Sequence, residues 1–392
     1  MSSFHPPKRL LLGPGPSEVH PRVLHAMAEP TVGHLDPVFV ALMDDTKAQL
    51  RRAFRTANEL TMPISGPGSA GMEACLINLL EPNDSAIICR NGVFGSRMVE
   101  IAQRAGARVV VVEDGYGDPV SVEKVEQAFA EHPAASLLAF VHAETSTGAR
   151  SDAESLSRVA HERGALVLMD AVTSLGGIPV EVDAWGIDAV YSGSQKCLSC
   201  PPGLSPITMG ERAVQKIKTR KSKVQSWFLD LDLVMGYWGK GKRSYHHTAP
   251  VNAIYGLHEA LVMLEEEGLE AAWERHARHH LALRGGLEEL GLRFVVSERF
   301  RLPQLNTVFV PEGVDDAAVR SSLLTDFGIE IGGGLGPLAG KVWRIGLMGQ
   351  SSSPLAIRSV LMALEAVLIR QGRRVRAGKA LAAADAVLAS QS

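Results

Sequence analysis

Lys196 stands in the segment 193–203, GSQKCLSCPPG, among small residues, a Cys-x-x-Cys pair and two prolines. Three chemistries suit a lysine so placed. It is an ordinary surface cation, or a bystander to a redox or metal pair at Cys197 and Cys200, or a nucleophilic amine. A structural zinc site takes four ligands, and the doublet His246-His247 is too close-set and too far along the chain to complete one. A thioredoxin-like pair opens a helix, whereas Pro201 and Pro202 follow this pair almost at once. The cysteines read as small packing residues, and the lysine becomes the feature to explain.

Two further motifs bear on it. SGPGSAG sets Gly66, Gly68 and Gly71 at G-x-G-x-x-G spacing between a strand and a helix. A dinucleotide fold also wants an acid closing the next strand. That strand, SAIICRNG, ends in Arg90 and Asn91, with Asp84 ahead of it, so an NAD-dependent dehydrogenase rests on the glycines alone. The general reading is a glycine turn that offers a helix N-terminus to an anion such as phosphate; a tight packing turn is its alternative. Asp170 closes the apolar strand ALVLMD, where α/β proteins place functional groups, and Lys196 lies just past a later strand. A lysine for a Schiff base, an acid for a pyridine nitrogen and a phosphate cradle are together what pyridoxal 5'-phosphate (PLP) requires.

The elements that must hold these residues alternate. ELTMPIS, SAIICR, RVVVVE, SLLAFVH, ALVLMD and AVYSGS read as strands, separated by helical stretches such as GMEACLINLL and VEKVEQAFAEH. Short, continuously apolar strands between helices predict an α/β fold with a buried, mostly parallel sheet. After Pro250 a long helical stretch follows, broken near Gly268 and again at Gly285-Gly286. Then come the strands LRFVV, TVFVP, IEIGGG and VWRIGLMG and two helices, which make a smaller α+β unit. The expected domains are an N-terminal arm over 1–20, a large cofactor-binding domain over 21–265, a small domain over 266–372 and a tail over 373–392. That alanine-rich tail reads as a frayed helix or a disordered segment.

The bulk properties narrow the partners. The 392 residues carry a net charge of −3, so electrostatics argues for neither nucleic acid nor an anionic membrane. The basic run 216–223 reads as a solvated face or, alternatively, a phosphate-steering patch. No apolar stretch approaches the ~18 residues of a membrane span, and no signal pattern opens the chain. Four cysteines are too few for a disulfide scaffold, so a cytoplasmic location is expected.

The blocks SGPGSAGMEA, NGVFGSR, HAETSTGA, DAVTSLGG, GIDAVYSGSQKCLSCPPG, SYHHTAPV, GIEIGGGLGP and KVWRIGLMG, in this order, resemble the class V, fold-type I PLP-dependent aminotransferases. The likeness is greatest to the alanine–glyoxylate and serine–pyruvate (serine–glyoxylate) types. It implies a seven-stranded, mostly parallel sheet in the large domain and a homodimer with the active site at the interface. By position, Lys196 resembles the family's Schiff-base lysine and Asp170 the acid on the pyridine nitrogen. Phe94 falls where an aromatic ring stacks on the cofactor, and Thr145 where a hydroxyl approaches its phenolic oxygen and the substrate. Gly68, Ser69, Ala70 and Gln195 match the phosphate cradle, and Tyr245 and Thr248 match residues reaching the phosphate from a second subunit. Arg344 resembles the arginine that grips the substrate carboxylate, and Gly15 and His34 fall near the substrate.

There are departures. Phe94 stands where alanine–glyoxylate enzymes often carry Trp, Ser69 where some relatives have His, and Cys197 where a small apolar residue is usual. The resemblance implies ping-pong transamination of alanine or serine with glyoxylate or pyruvate. A 2-aminoethylphosphonate–pyruvate aminotransferase is the alternative within the fold. Cysteine desulfurases share the fold but need a late nucleophilic cysteine, and none follows Cys200.

Overall fold

The computed structural model describes residues 3–239 and 243–390; residues 1–2 of the expected arm and 391–392 of the expected tail lie outside them. Seven strands form one sheet: β1 Leu60–Ser65, β2 Ser85–Arg90, β3 Arg108–Glu113, β4 Ala135–Val141, β5 Leu166–Asp170, β6 Ala189–Tyr191 and β7 Leu204–Met209. They lie in the order β1-β7-β6-β5-β4-β2-β3. β7 runs antiparallel to both neighbours, and the other pairs are parallel. Six strands match the sequence reading. β7 escapes it because Pro206 interrupts LSPITM; in the sheet Pro206 faces Pro63 of β1, a place where neither needs an N–H.

Helices α1 Gly68–Leu79, α2 Val93–Arg104, α3 Val122–Glu131 and α4 Ala153–Glu162 alternate with the strands. Ser121 and Asp152 start α3 and α4 by accepting the Lys124 and Ser155 N–H groups. Strands buried on both faces form the main core, which runs from Val23 to Ala272. The basic run is tied down at its start: Lys216 Nζ lies 2.8 Å from Asp84 Oδ2.

A second core starts with Leu12 and resumes at Ala282. It is built on the antiparallel strands β8 Leu305–Phe309, β9 Gly332–Gly333 and β10 Val342–Gly346, with β10 in the centre. Helices α5 Val251–Glu267 and α6 Leu269–Glu289 meet at Gly268, whose φ of +88° ends the first. The second break expected at Gly285-Gly286 is absent, because α6 runs through both glycines. Their role is close packing: a Cβ on Gly286 would lie 2.3 Å from Leu361 Cδ1 of α7 Pro354–Arg370. LRFVV forms no strand, only a bridge between Phe294 and Val308. Beyond Gly372 the described residues form α8 Lys379–Ser390, with Ala380 and Ala384 buried, so this part of the expected tail is docked rather than disordered. Alanines are the reason: they let α8 lie close against α6, where Ala383 Cβ meets Gly285.

Three buried histidines fasten α6 to this second unit. His276 Nδ1 lies 2.6 Å from Ala272 O, and its Nε2 accepts the Gly349 N–H at 2.9 Å. His279 bonds Ser352 and His280 bonds Asn306. Burial pushes the His276 imidazolium pKa down to about 3 and that of His279 to about 4, and lowers His280 too. The unfolded chain takes up these protons near pH 6.5 and the folded chain does not. Stability is therefore held above that pH and lost as pH falls below it, by about 1.4 kcal/mol per pH unit for His276 alone. The urea midpoint is expected to drop between pH 6.5 and 4, and less steeply in His276→Gln. Equal slopes for the two proteins would contradict this account.

Candidate active site

The carboxyl ends of the parallel strands converge on one cavity of about 220 Å³. Gly68 and Ser69 of α1, Phe94 of α2, Thr145 after β4, Asp170 at the end of β5, and Gln195 and Lys196 after β6 all line it. Thus seven of the residues singled out in the sequence come together from five separate segments.

Lys196 is buried, and its ammonium donates to Pro14 O. Residues 10–17 close over it. Leu12 donates to Glu330 O at 2.9 Å, and Ser17 Oγ donates to Lys196 O at 2.6 Å. Gly15 is required at this crossing, since its φ is +102° and a Cβ there would sit 2.6 Å from Lys196 Nζ. Burial, reinforced by the cation of Arg344, lowers the Lys196 pKa to about 8. About a tenth of the amine is therefore neutral at pH 7 and about half at pH 8, as nucleophilic or general-base work demands.

Asp170 is 3% exposed, and burial raises its carboxyl pKa to about 7. Two donors oppose that rise. Tyr191 Oη lies 2.7 Å from Oδ2, and Val172 N–H reaches Oδ1 at 2.7 Å. The arrangement suits a carboxylate that receives a proton-bearing ring nitrogen in a dry site.

The start of α1 is built for an anion. Pro67 leaves the helix without a side-chain cap, so the dipole end faces the cavity with the Gly68 and Ser69 amides. Ala70 does not line the cavity, and its N–H is used by Pro67 O at 2.7 Å. The glycine spacing also serves packing, because a Cβ on Gly71 would lie 2.0 Å from Ser205 Oγ of β7. Gln195 Oε1 is buried without a hydrogen-bond partner among the described residues, and amide rotation can bring Nε2–H to the same place. An uncapped helix start, an amide needing a partner, a buried acid and a lysine of lowered pKa fit PLP in this cavity.

Arg344 on β10 reaches this site from the second unit. Its Nη1 donates to Thr145 O at 3.0 Å and its Nε to Gly333 O at 2.7 Å. Burial lowers its pKa to about 10, so it stays cationic at neutral pH. His34, Tyr245 and Thr248 lie elsewhere and next to one another. The His34 and Tyr245 rings are 5.2 Å apart, and Tyr245 Oη is 3.4 Å from Thr248 Oγ1. Tyr245 is 61% exposed, and none of the three lines the cavity of its own chain. His247 ties this segment to the cradle side, 3.0 Å from Ser65 Oγ.

The cysteine pair serves packing. A Cβ on Gly177 would lie 2.6 Å from Cys197 Sγ, and Cys200 Sγ faces Gly256. Burial raises both thiol pKa values to about 12, far from a reactive thiolate. Arg90 pairs with Glu113 at 2.7 Å, so the strand end where a dinucleotide fold wants an acid carries a cation already engaged.

Sequence reasoning missed Tyr191, Val172, Arg97 and Glu144. Val172 and Arg97 line the cavity, the latter with its guanidinium 4.8 Å from the Phe94 ring centre. Glu144 is fully buried and accepts the Ser146 and Phe94 N–H groups, fixing the start of α2 beside the cavity. Each lies inside a block already singled out, so nearness in sequence to Asp170, Phe94, Thr145 or Gln195 was the available signal.

Comparison with known proteins agrees with this geometry. Residues 10–342 match the family described as aminotransferase class-V. The chain is 40% identical to the (S)-ureidoglycine–glyoxylate transaminase of Bacillus subtilis, over 96% of this chain and 95% of that one. It is 43% identical to the alanine–glyoxylate aminotransferase of Rattus norvegicus, over 88% and 84%. The crystal structure of alanine–glyoxylate aminotransferase from Nostoc sp. superposes with a TM-score of 0.92 at 49% identity, covering 94% of this chain and 97% of that chain.

Proposed function

The chain belongs to the class V aminotransferases, PLP-dependent enzymes of fold type I, and we propose that it moves the amino group of a small amino acid such as alanine or serine onto glyoxylate or pyruvate. The observation that carries the reading is one small cavity joining Lys196, Asp170 and the uncapped start of α1. Glyoxylate as acceptor is supported by the relatives named for it.

When bound, PLP supplies an aldehyde for the substrate's amino group and a ring that draws electrons from its Cα–H bond. The rest is work for this chain. Gly68, Ser69 and Gln195 hold the phosphate, and Phe94 and Val172 line the space for the ring. Asp170 holds a proton on the ring nitrogen. The Lys196 amine would anchor the cofactor and, once displaced, would take the proton from the substrate's Cα and serve as the acid that gives it back. Arg344 orients the substrate through its carboxylate, and the closure by residues 10–17 keeps water from the lysine.

A homodimer is part of the proposal. Tyr245 and Thr248 lie outside their own chain's cavity, and Val38, Trp227 and Tyr245 expose large apolar faces. A cytoplasmic location is also proposed, supported by four buried cysteines of which none forms a disulfide. One observation favours a second substrate class. The Arg97 guanidinium lines the cavity and, among the described residues, forms no ion pair, as a phosphonate-bearing donor would want.

One assay panel tests these readings. Alanine, serine, (S)-ureidoglycine and 2-aminoethylphosphonate are crossed with glyoxylate, pyruvate and 2-oxoglutarate. Turnover of alanine or serine with glyoxylate, with parallel double-reciprocal lines, is the expected result. Turnover confined to 2-aminoethylphosphonate would overturn the proposal.

A further inference from the structure

Tyr191 ends β6 in direct register with Asp170 at the end of β5. Its ring is fully buried, and its hydroxyl donates to Asp170 Oδ2 at 2.7 Å while Val172 N–H holds Oδ1. The carboxylate is thus gripped at both oxygens from different directions, by a strand neighbour and by the turn that follows it. Gly71 of α1 makes room for the tyrosine, since a Cβ there would lie 3.1 Å from Tyr191 Cβ.

The charged and titratable groups facing this pair are few. Glu144 and Lys196 act on Asp170, the first raising and the second lowering its pKa. Glu144 and Cys75 of α1 act on Tyr191, and burial with these neighbours raises the phenol well above its usual range. The proton therefore stays on the phenol, which acts as a permanent donor to the acid. A buried tyrosine could satisfy its hydroxyl on any backbone carbonyl; here it is spent on the one carboxylate of the cavity.

We propose that Tyr191 is a positioning residue for Asp170: its hydroxyl keeps the carboxylate ionised and aimed into the cavity, and so sets how firmly that acid binds the cofactor's ring nitrogen. The inference rests on the pairing of Asp170 with that nitrogen. In a dry site a donor to the charged form favours the charged form, so removing it shifts the acid toward the neutral state. A neutral acid lacks the charge that holds a protonated ring.

The experiment uses the full-length protein and Tyr191→Phe, which keeps the ring and removes one oxygen. The Asp170 carboxyl is titrated by NMR in apoprotein carrying 13C-labelled aspartate, assigned with Asp170→Asn. PLP dissociation constants are measured by fluorescence for both single variants and for the double variant. The Asp170 midpoint is expected to rise by about one pH unit in Tyr191→Phe, and PLP affinity at pH 6, below both midpoints, to fall about tenfold, the equivalent of that shift. In the Asp170→Asn background the effect of Tyr191→Phe should shrink to less than about twofold, because the charge it stabilises is gone. An unchanged midpoint and dissociation constant in a folded Tyr191→Phe protein would overturn the proposal and leave the tyrosine a packing residue. If Asp170→Asn itself binds PLP as tightly as wild type, the pairing of Asp170 fails instead, and the proposal with it.

Discussion

Lys196→Ala protein is expected to lose transamination by at least about 10⁴-fold, because one amine is asked both to anchor the cofactor and to move the substrate's proton. The cavity offers no substitute: among its lining residues Lys196 is the one primary amine. With its pKa lowered to about 8, roughly half of the amine is neutral at pH 8. At an unperturbed pKa near 10.4 the neutral share would be well under about 1%. The cause is burial first and the Arg344 cation second, so the effect belongs to the folded site. Two measurements follow. The rate at which wild-type apoprotein captures PLP should rise with pH to a midpoint near 8, and borohydride should then fix the cofactor on the peptide carrying Lys196. A midpoint near 10, or an alanine variant that turns over at the wild-type rate, would remove the lysine from the mechanism. Lys196→Arg is the useful control, since it keeps a cation in the cavity without a nucleophile.

Lys196 and Asp170 were legible in the sequence for a physical reason. Parallel strands bury their length and expose their carboxyl ends, so a polar residue closing an apolar run marks the site before any coordinates exist. The same logic explains what was hidden. Tyr191 closes AVY and reads as core, since an aromatic residue in a strand is usually there for packing. Its bond to Asp170 depends on the register of β5 against β6, which lies in no single segment. Glu144 sits in a two-residue strand paired with Ala149–Arg150, and nothing local says that its carboxylate is buried against the start of α2.

Errors in the second unit share another cause. Glycine has two uses, and the sequence does not separate them. At Gly268 the backbone takes φ +88° and the helix ends, whereas at Gly286 the helix continues and the missing side chain admits Leu361. LRFVV has strand composition, but a single bridge at Phe294 is all the pairing its neighbours provide. Composition also left α8 undecided, because an alanine face becomes a packing surface only when α6 and α7 are there to receive it.

Arg344→Ala should lower kcat/KM for α-amino acids and α-keto acids by about 10²- to 10³-fold, mostly through KM, with PLP binding retained. Arg344 is 6% exposed, and its guanidinium is held flat by two carbonyls, Thr145 O on Nη1 and Gly333 O on Nε. Those bonds fix its plane before any substrate arrives, so little entropy is lost when a carboxylate docks. They also explain its reach: β10 belongs to the second unit, yet the arginine is anchored to Thr145, which lines the cavity of the first. Lysine cannot reproduce this, since one ammonium cannot keep both carbonyls and present a bidentate face. Arg344→Lys should therefore recover less than about a tenth of the lost kcat/KM. The loss should be specific to the carboxylate. Amine capture by the PLP-loaded variant, followed by absorbance with an amine that has no carboxylate, should proceed as in wild type. If KM for alanine and glyoxylate is unchanged in Arg344→Ala, the carboxylate is bound elsewhere. Arg97, a cation that lines the same cavity and forms no ion pair among the described residues, is then the residue to replace next.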